Sequence, residues 1–209
     1  MRYSADHKAE THARLLRAAA AQMRRAGMDG VSVAEIMRGA GLTHGGFYAH
    51  FTCKDDLIAQ AVTQMFADNA GRVRSWLDDV APARQLGEFI ARYLSPIHRD
   101  RPDRGCPLTT IATDMPRQST AARRAFDAGA AGTFGRLEAM LPADLRGDRA
   151  GLARSVLSEM AGAVALSRAV SDRAQSDDLL AAVRVSVRRR CGLDETEDAI
   201  TTGQEGARA

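Results

Sequence analysis

Aromatic residues are scarce in this 209-residue chain: three Tyr, six Phe and one Trp, 5 % in all. β-branched and aromatic alternation is equally thin, which argues against a sheet-based fold. Cysteine is limited to Cys53, Cys106 and Cys191, an odd number with no Cys-x-x-Cys pair. Neither a disulfide framework nor a structural zinc motif is indicated, and no metal or cofactor is expected. No apolar run approaches the roughly 18 residues of a membrane span. The opening MRYSADHKAETHARLL alternates charge with helix formers instead of joining a basic end to an apolar block, so the expectation is a cytoplasmic protein with no membrane partner. HExxH, GxSxG, P-loop and GxGxxG motifs are all missing, leaving an enzyme only as an unrecognised all-helical one.

What is present is ordinary globular material, 45 % apolar and 26 % charged, enough to fold as one or two domains. The net charge is only +3, but its distribution is uneven. Residues 1–54 hold eight Lys or Arg against four acids, with four of the five histidines. From Gly192 onward the balance reverses, with Asp194, Glu195, Glu197, Asp198 and Glu205 against Arg208. A basic front end suits phosphate binding, and an acidic tail without apolar period over 192–209 is expected to be disordered.

The rest reads as helix. A first helix is expected from about Ala5 or Glu10 to Arg25, with Leu15, Leu16, Ala19 and Met23 as its stripe and Gly27 as its stop. Ser32-Val33-Ala34-Glu35 is a capping box for a second helix, in which Val33, Ile36, Met37 and Ala40 fall at i, i+3, i+4 and i+7 before Gly41. Thr43 is placed to cap a third short helix, His44 to Phe51. A longer one is expected from Asp55 to Asp78, then others near 84–97, 106–114, 119–141, 149–169 and 175–191, divided by the prolines and Ser171-Asp172.

Two short helices separated by Gly-Leu-Thr and flanked by longer ones are what a helix-turn-helix needs. In THGGFYAHF, Phe47 and Phe51 can face inward. Thr43, His44, Gly45, Gly46, Tyr48 and His50 then lie outward or at the N-terminal tip, and the two glycines permit close approach of backbone to DNA. Arg24 and Arg25 read as a solvated face. The stretch Arg14 to Leu57, with Leu15-Leu16-x-x-Ala19, Gly27-x-x-Gly30-x-Ser32-Val33-x-x-Ile36, Ala40-Gly41-Leu42-Thr43-x-Gly45-x-Phe47-Tyr48-x-His50-Phe51 and Lys54-x-x-Leu57, resembles the TetR-type (TetR/AcrR) transcriptional repressors. The resemblance implies an all-α fold of about nine helices: a DNA-binding head (1–53) and a ligand-binding, dimerising body (54–191). It further implies that Thr43, His44, Gly45 and Gly46 approach bases or phosphates, that Tyr48 and His50 hold the DNA backbone, and that Lys54 and Ser32 touch phosphate. Where such proteins usually have serine capping the fourth helix, this chain has Cys53, so Thr52 is left to cap or the cap is weaker.

In the body, Tyr93, Thr110 and Phe126 are candidates for a ligand pocket, alongside the alternative that scattered aromatics are plain core. Apolar positions such as Val156, Met160, Val164, Leu180 and Val187 demand a partner. The resemblance implies a four-helix interface with a symmetry mate, hence a homodimer on palindromic double-stranded DNA, released by a small-molecule inducer. In Arg104-Gly105-Cys106-Pro107-Leu108-Thr109-Thr110, Cys106 precedes a helix-opening proline, where the dipole and Arg104 or Arg101 favour thiolate. The segment is also similar to the region in which some TetR-type repressors sense electrophiles or oxidants. The alternative is a small buried residue at a helix start. A protein-interaction module with this head but no specific DNA binding is a further alternative.

Overall fold

The computed structural model describes residues 2–193, and among them it contains nine α-helices, three short 3-10 segments and no strand. The helices are α1 (Arg2–Ala26), α2 (Val33–Gly39), α3 (Lys54–Leu77), α4 (Pro82–Tyr93), α5 (Pro96–Asp100), α6 (Pro107–Thr110), α7 (Thr120–Met140), α8 (Arg149–Ala169) and α9 (Arg173–Arg190). The tail expected to be disordered lies, from residue 194 onward, outside the described residues.

The first core joins α1, α2 and the segment His44–Ala49 to α3 and α7, through Leu15, Ala19, Met23, Ile36, Met37, Phe47, Phe51, Leu57 and Met65. α3 is common to head and body: its Phe66 meets Phe126 of α7 edge-on at 5.5 Å. The α3–α7 crossing is close because Gly129 lacks a side chain; a Cβ there would lie 2.1 Å from the Phe66 ring. The second core lies among α3, α4, α7, α8 and α9, around Val73, Ile90, Tyr93, Cys106, Leu137, Leu157, Met160 and Val187.

Several expectations are corrected. His44–Ala49 is a 3-10 helix rather than an α-helix, so its hydrogen-bonded run is short and its register tighter. The helix expected over 84–97 ends at Tyr93, because Pro96 opens α5 and Ser95 caps it, its Oγ accepting from His98 N at 3.2 Å. The one expected over 106–114 is the single turn α6 followed by the 3-10 segment Met115–Arg117. Arg24 is not solvated: it is buried between α1 and α3, donating to the Met65 carbonyl at 3.2 Å and pairing with Asp68 at 3.5 Å. Val156, Met160, Val164, Leu180 and Val187 fill this chain's own core and need no second copy.

Head and body are tied by Asp114. α1 ends at Gly27, whose φ of +72° suits glycine. The Asp114 carboxylate then accepts from Met28 N at 3.0 Å and from Arg117 at 2.7 Å.

Candidate nucleic-acid interface and buried cysteine site

Ser32 caps α2 as expected, accepting from Glu35 N at 3.3 Å. The return arm of the capping box is not made by Glu35. Gln22 of α1 takes that place: its Oε1 accepts from Ser32 N (3.2 Å) while its Nε2 donates to Glu35 (3.1 Å). One amide thus fixes the angle between α1 and α2.

Phe47 and Phe51 are buried, 5.4 Å apart, and hold the segment to the core. Tyr48 points away, 69 % exposed. Thr43 is exposed and makes no cap bond with its hydroxyl, which leaves that group for a partner. Gly45 is open: a Cβ there would meet nothing within 4 Å. Gly46 is half-buried, and a Cβ would rest 3.6 Å from Met37 Cε. Of the two, Gly45 is the one whose missing side chain clears an outer surface. His44 begins the same segment.

His50 faces both ways. Its ring is half-buried against His12 (5.9 Å between centroids), with Nδ1 buried and without a partner. Burial first, then His12 and Lys8, hold its pKa below the usual histidine value. His12 stacks on Phe51 at 4.7 Å and reaches Gln60 at 2.9 Å. Gln60 donates to Asp56 at 2.8 Å, and Asp56 accepts from the Thr52 amide (2.9 Å) and hydroxyl (3.1 Å). The hydrogen bond from Gln60, then that from the Thr52 amide, hold the Asp56 carboxyl below the usual range. This relay ties α1 and the turn at Thr52 to the first turns of α3. Thr52 therefore does not cap α3; its hydroxyl is a donor to Asp56, and the capping position belongs to Cys53, which makes no cap bond. Lys54, exposed, begins α3 beside it.

The body brings Tyr93, Thr110 and Cys106 together but not Phe126, which packs in the first core. Cys106 is 1 % exposed. Its N–H donates to His98 Nε2 at 3.2 Å, and His98 Nδ1 donates to the Tyr93 carbonyl at 2.7 Å. Both nitrogens are thereby assigned, the ring is neutral, and burial pushes its pKa down to about 4. His98 is spent on a backbone amide and is no base for the thiol. Thr109 and Thr110 hydroxyls both donate to the Cys106 carbonyl, at 2.7 and 3.3 Å.

The expected thiolate is corrected: burial pushes the Cys106 thiol up, outweighing the cations nearby. Arg101 and Arg104 turn to Asp103 instead. The guanidiniums that act on the sulfur are Arg136 and Arg168, which sequence reasoning missed because they come from α7 and α8, far along the chain. Among the described residues no group of three His, Cys, Asp or Glu is placed to hold a metal, and no helix is long and apolar enough to cross a membrane.

A core-anchored 3-10 segment presenting Thr43, Gly45 and Tyr48 after α2, stacked on a helical body, has the form of a helix-turn-helix head. Residues 15–61 match the model of bacterial regulatory proteins, tetR family. The described residues have the fold of solved TetR-type regulators. It superposes on a TetR-family transcriptional regulator from Agrobacterium tumefaciens with TM-score 0.71 at 20 % identity, covering 87 % of this chain and 98 % of that one. A TetR regulator from Chloroflexus aurantiacus gives 0.72 at 21 %, covering 90 % and 96 %. The reduced form of NemR from E. coli gives 0.71 at 17 %, covering 86 % and 96 %. No curated protein sequence matches the chain. The match of the head to the tetR-family model and the shared fold of the body describe a chain built like the TetR-type regulators.

Proposed function

We propose that this regulator is a cytoplasmic homodimeric repressor that binds a palindromic operator through Ser32, Thr43, His44, Gly45, Gly46, Tyr48, His50 and Lys54 of its head (1–53). The body (54–191) releases it on binding a small molecule or on modification of Cys106. The observation that carries the reading is Tyr48, a large aromatic left 69 % exposed on a segment otherwise anchored by two buried phenylalanines. Such a ring stands where a DNA backbone would meet it.

Dimerisation is supported by an outer face on the last two helices. Leu166 is 60 % and Val185 44 % exposed, and Gly162, Ala165, Ala181 and Ala182 of the same two helices are small and exposed. Small residues let a second pair of helices approach closely.

Release requires that the trigger favour the state unfit for DNA. The path runs from Cys106 through α6 to Asp114, which holds the end of α1. Because the thiol is buried, its modification awaits local opening of α5 and α6, whereas a ligand can select that opening directly.

The test is fluorescence anisotropy with DNA from upstream of the gene against a scrambled duplex across a salt series. Parent protein is expected to prefer the upstream fragment. Tyr48→Ala is expected to weaken that binding roughly tenfold or more while circular dichroism stays unchanged; equal, salt-erased binding to both duplexes would overturn the reading. For the thiol, Cys106→Ser is expected to abolish release by hypochlorite, and persistent release would remove it as a sensor.

A further inference from the structure

The segment that carries Cys106 is short of apolar anchorage. Of residues 100–110 only Gly105, Cys106 and Pro107 are buried, and Ile97 just before them is 63 % exposed. Its helices α5 and α6 are five and four residues long, too short to persist without tertiary support. Side chains of other helices supply that support. At one end Arg99, itself buried, donates to Ser176 Oγ of α9 at 2.7 Å and pairs with Asp100 and with Asp177 of α9. Ser176 carries the link to α8, its hydroxyl donating to the Ser167 carbonyl at 2.7 Å. A buried guanidinium with carboxylate partners is costly to extract, so this end is fixed.

The rest is gripped by Arg168 of α8. Its Nη2 donates to the His98 carbonyl and its Nε to the Arg99 carbonyl, both at 3.0 Å, and its Nη1 to Thr109 Oγ1 of α6 at 3.1 Å. The first two acceptors are left over at the end of α5: the residue that would reach the His98 carbonyl is Pro102, which has no N–H. Thr109 in turn donates to the Cys106 carbonyl at 2.7 Å, so one side chain joins both helices and the residue between them. The guanidinium passes directly over Gly105, where a Cβ would lie 2.9 Å from Nη2. Arg72 of α3 adds one bond, to the Arg104 carbonyl.

This grip differs in kind from that of Arg99. Arg168 is half-buried, its three partners are neutral oxygens, and among the described residues no carboxylate is in ion-pair contact with it. Burial is the first cause holding its pKa below the ordinary arginine range. The closed state therefore desolvates a cation that water takes back on release, and that gain is set against the three bonds lost.

We propose that Arg168 is the latch of the segment 100–110: its three bonds hold the segment closed over Cys106, and their release opens it locally, about a hinge at Arg99, while the surrounding helices stay folded. The proposal rests on the reading of the body as the switching unit and names the residue that sets its opening equilibrium. Opening of this kind exposes Cys106 without unfolding the second core, and a thiol reagent can follow it.

The chain carries its own control. Cys106 and Cys191 are both buried in the second core, but only Cys106 lies in the latched segment. With the exposed Cys53 replaced by Ser, iodoacetamide alkylation of the two thiols is followed in the full chain by peptide mass spectrometry, each rate divided by that of the same thiol in the urea-unfolded chain. In the parent, the Cys106 rate is expected to depend only weakly on urea well below the unfolding transition. Arg168→Met, which removes the fork, is expected to raise the Cys106 rate about tenfold or more and leave the Cys191 rate unchanged. Gly105→Ala keeps Arg168 but places a methyl where its Nη2 lies, and is expected to act in the same direction to a lesser degree, with the melting temperature near the parent's. Equal acceleration of both thiols would make Arg168 an ordinary stabiliser of the fold and overturn the latch. An unchanged Cys106 rate in both variants, or a urea dependence in the parent equal to that of global unfolding, would overturn it too. Operator anisotropy on the same samples separates the two readings: selective opening with parental operator affinity sinks the release path alone, and operator release by hypochlorite with no selective opening sinks the latch alone.

Discussion

Gly45 and His98 are single residues whose environments give opposite kinds of prediction. At Gly45 a Cβ would meet nothing of the protein, so Gly45→Ala is expected to leave the melting temperature unchanged or raise it slightly, since glycine carries more unfolded-state entropy, worth up to about 1 kcal/mol. Its operator affinity is expected to fall, because in the proposed complex the added methyl would face DNA. Affinity equal to parent would remove close backbone approach as the reason for that glycine. His98 is the reverse case, hidden and structural. Its folded pKa of about 4 lies below the ordinary 6.5, so below pH 6.5 the unfolded chain takes up a proton that the folded chain resists. Stability contributed by the neutral ring is present above that value and is lost as pH falls through about 4, an interval equivalent to roughly 3 kcal/mol at most. His98→Gln keeps an acceptor for the Cys106 amide and is expected to flatten the melting temperature between pH 6.5 and 4. A slope identical to parent would mean that other groups set the acid limit.

The start of α3 is the element where the chain departs from good capping chemistry. Cys53 sits at the cap in extended conformation, φ −162° and ψ 175°, with no side-chain bond to the helix. Cys53→Ser is expected to supply that bond and add about 1 kcal/mol, seen as a rise of roughly 2–4 °C in melting temperature; no rise would mean that the Asp56 grip on Thr52 already does the work of a cap. This element also shows what could be read in advance. Apolar spacing and cap residues depend on neighbours in the chain, so α1, α2, α7 and α8, the buried Phe47 and Phe51, and the Ser32 cap were all legible. Partners distant in sequence were not: Gln22 completing the Ser32 box, Arg24 turned inward to Asp68, and Arg136 and Arg168 converging on Cys106 all follow from how helices cross. The expected thiolate failed for the same reason. Proline and arginines beside Cys106 suggested ionisation, but its burial comes from α4, α7 and α8, and burial wins.

At the scale of the whole molecule, the proposed homodimer depends on geometry that one chain does not contain. Its two heads would have to reach successive major-groove faces about 34 Å apart, with a spacing set by whatever joins the bodies. The expectation that Val156, Met160 and Val187 would join them fails, since these complete the internal core, and the burden passes to Leu166, Val185 and the exposed small residues of the same helices. Leu166 is 60 % exposed, so Leu166→Glu costs the fold little, yet it places a desolvated charge at the centre of the proposed joint, where it has no partner to neutralise it. Sedimentation equilibrium is expected to show a monomer with parental helicity, and operator affinity is expected to collapse to the weak, salt-sensitive level of a single head on phosphate. A variant that sediments as a dimer and keeps its operator would place the joint on another face, and the spacing of the two heads would then have to be set from there.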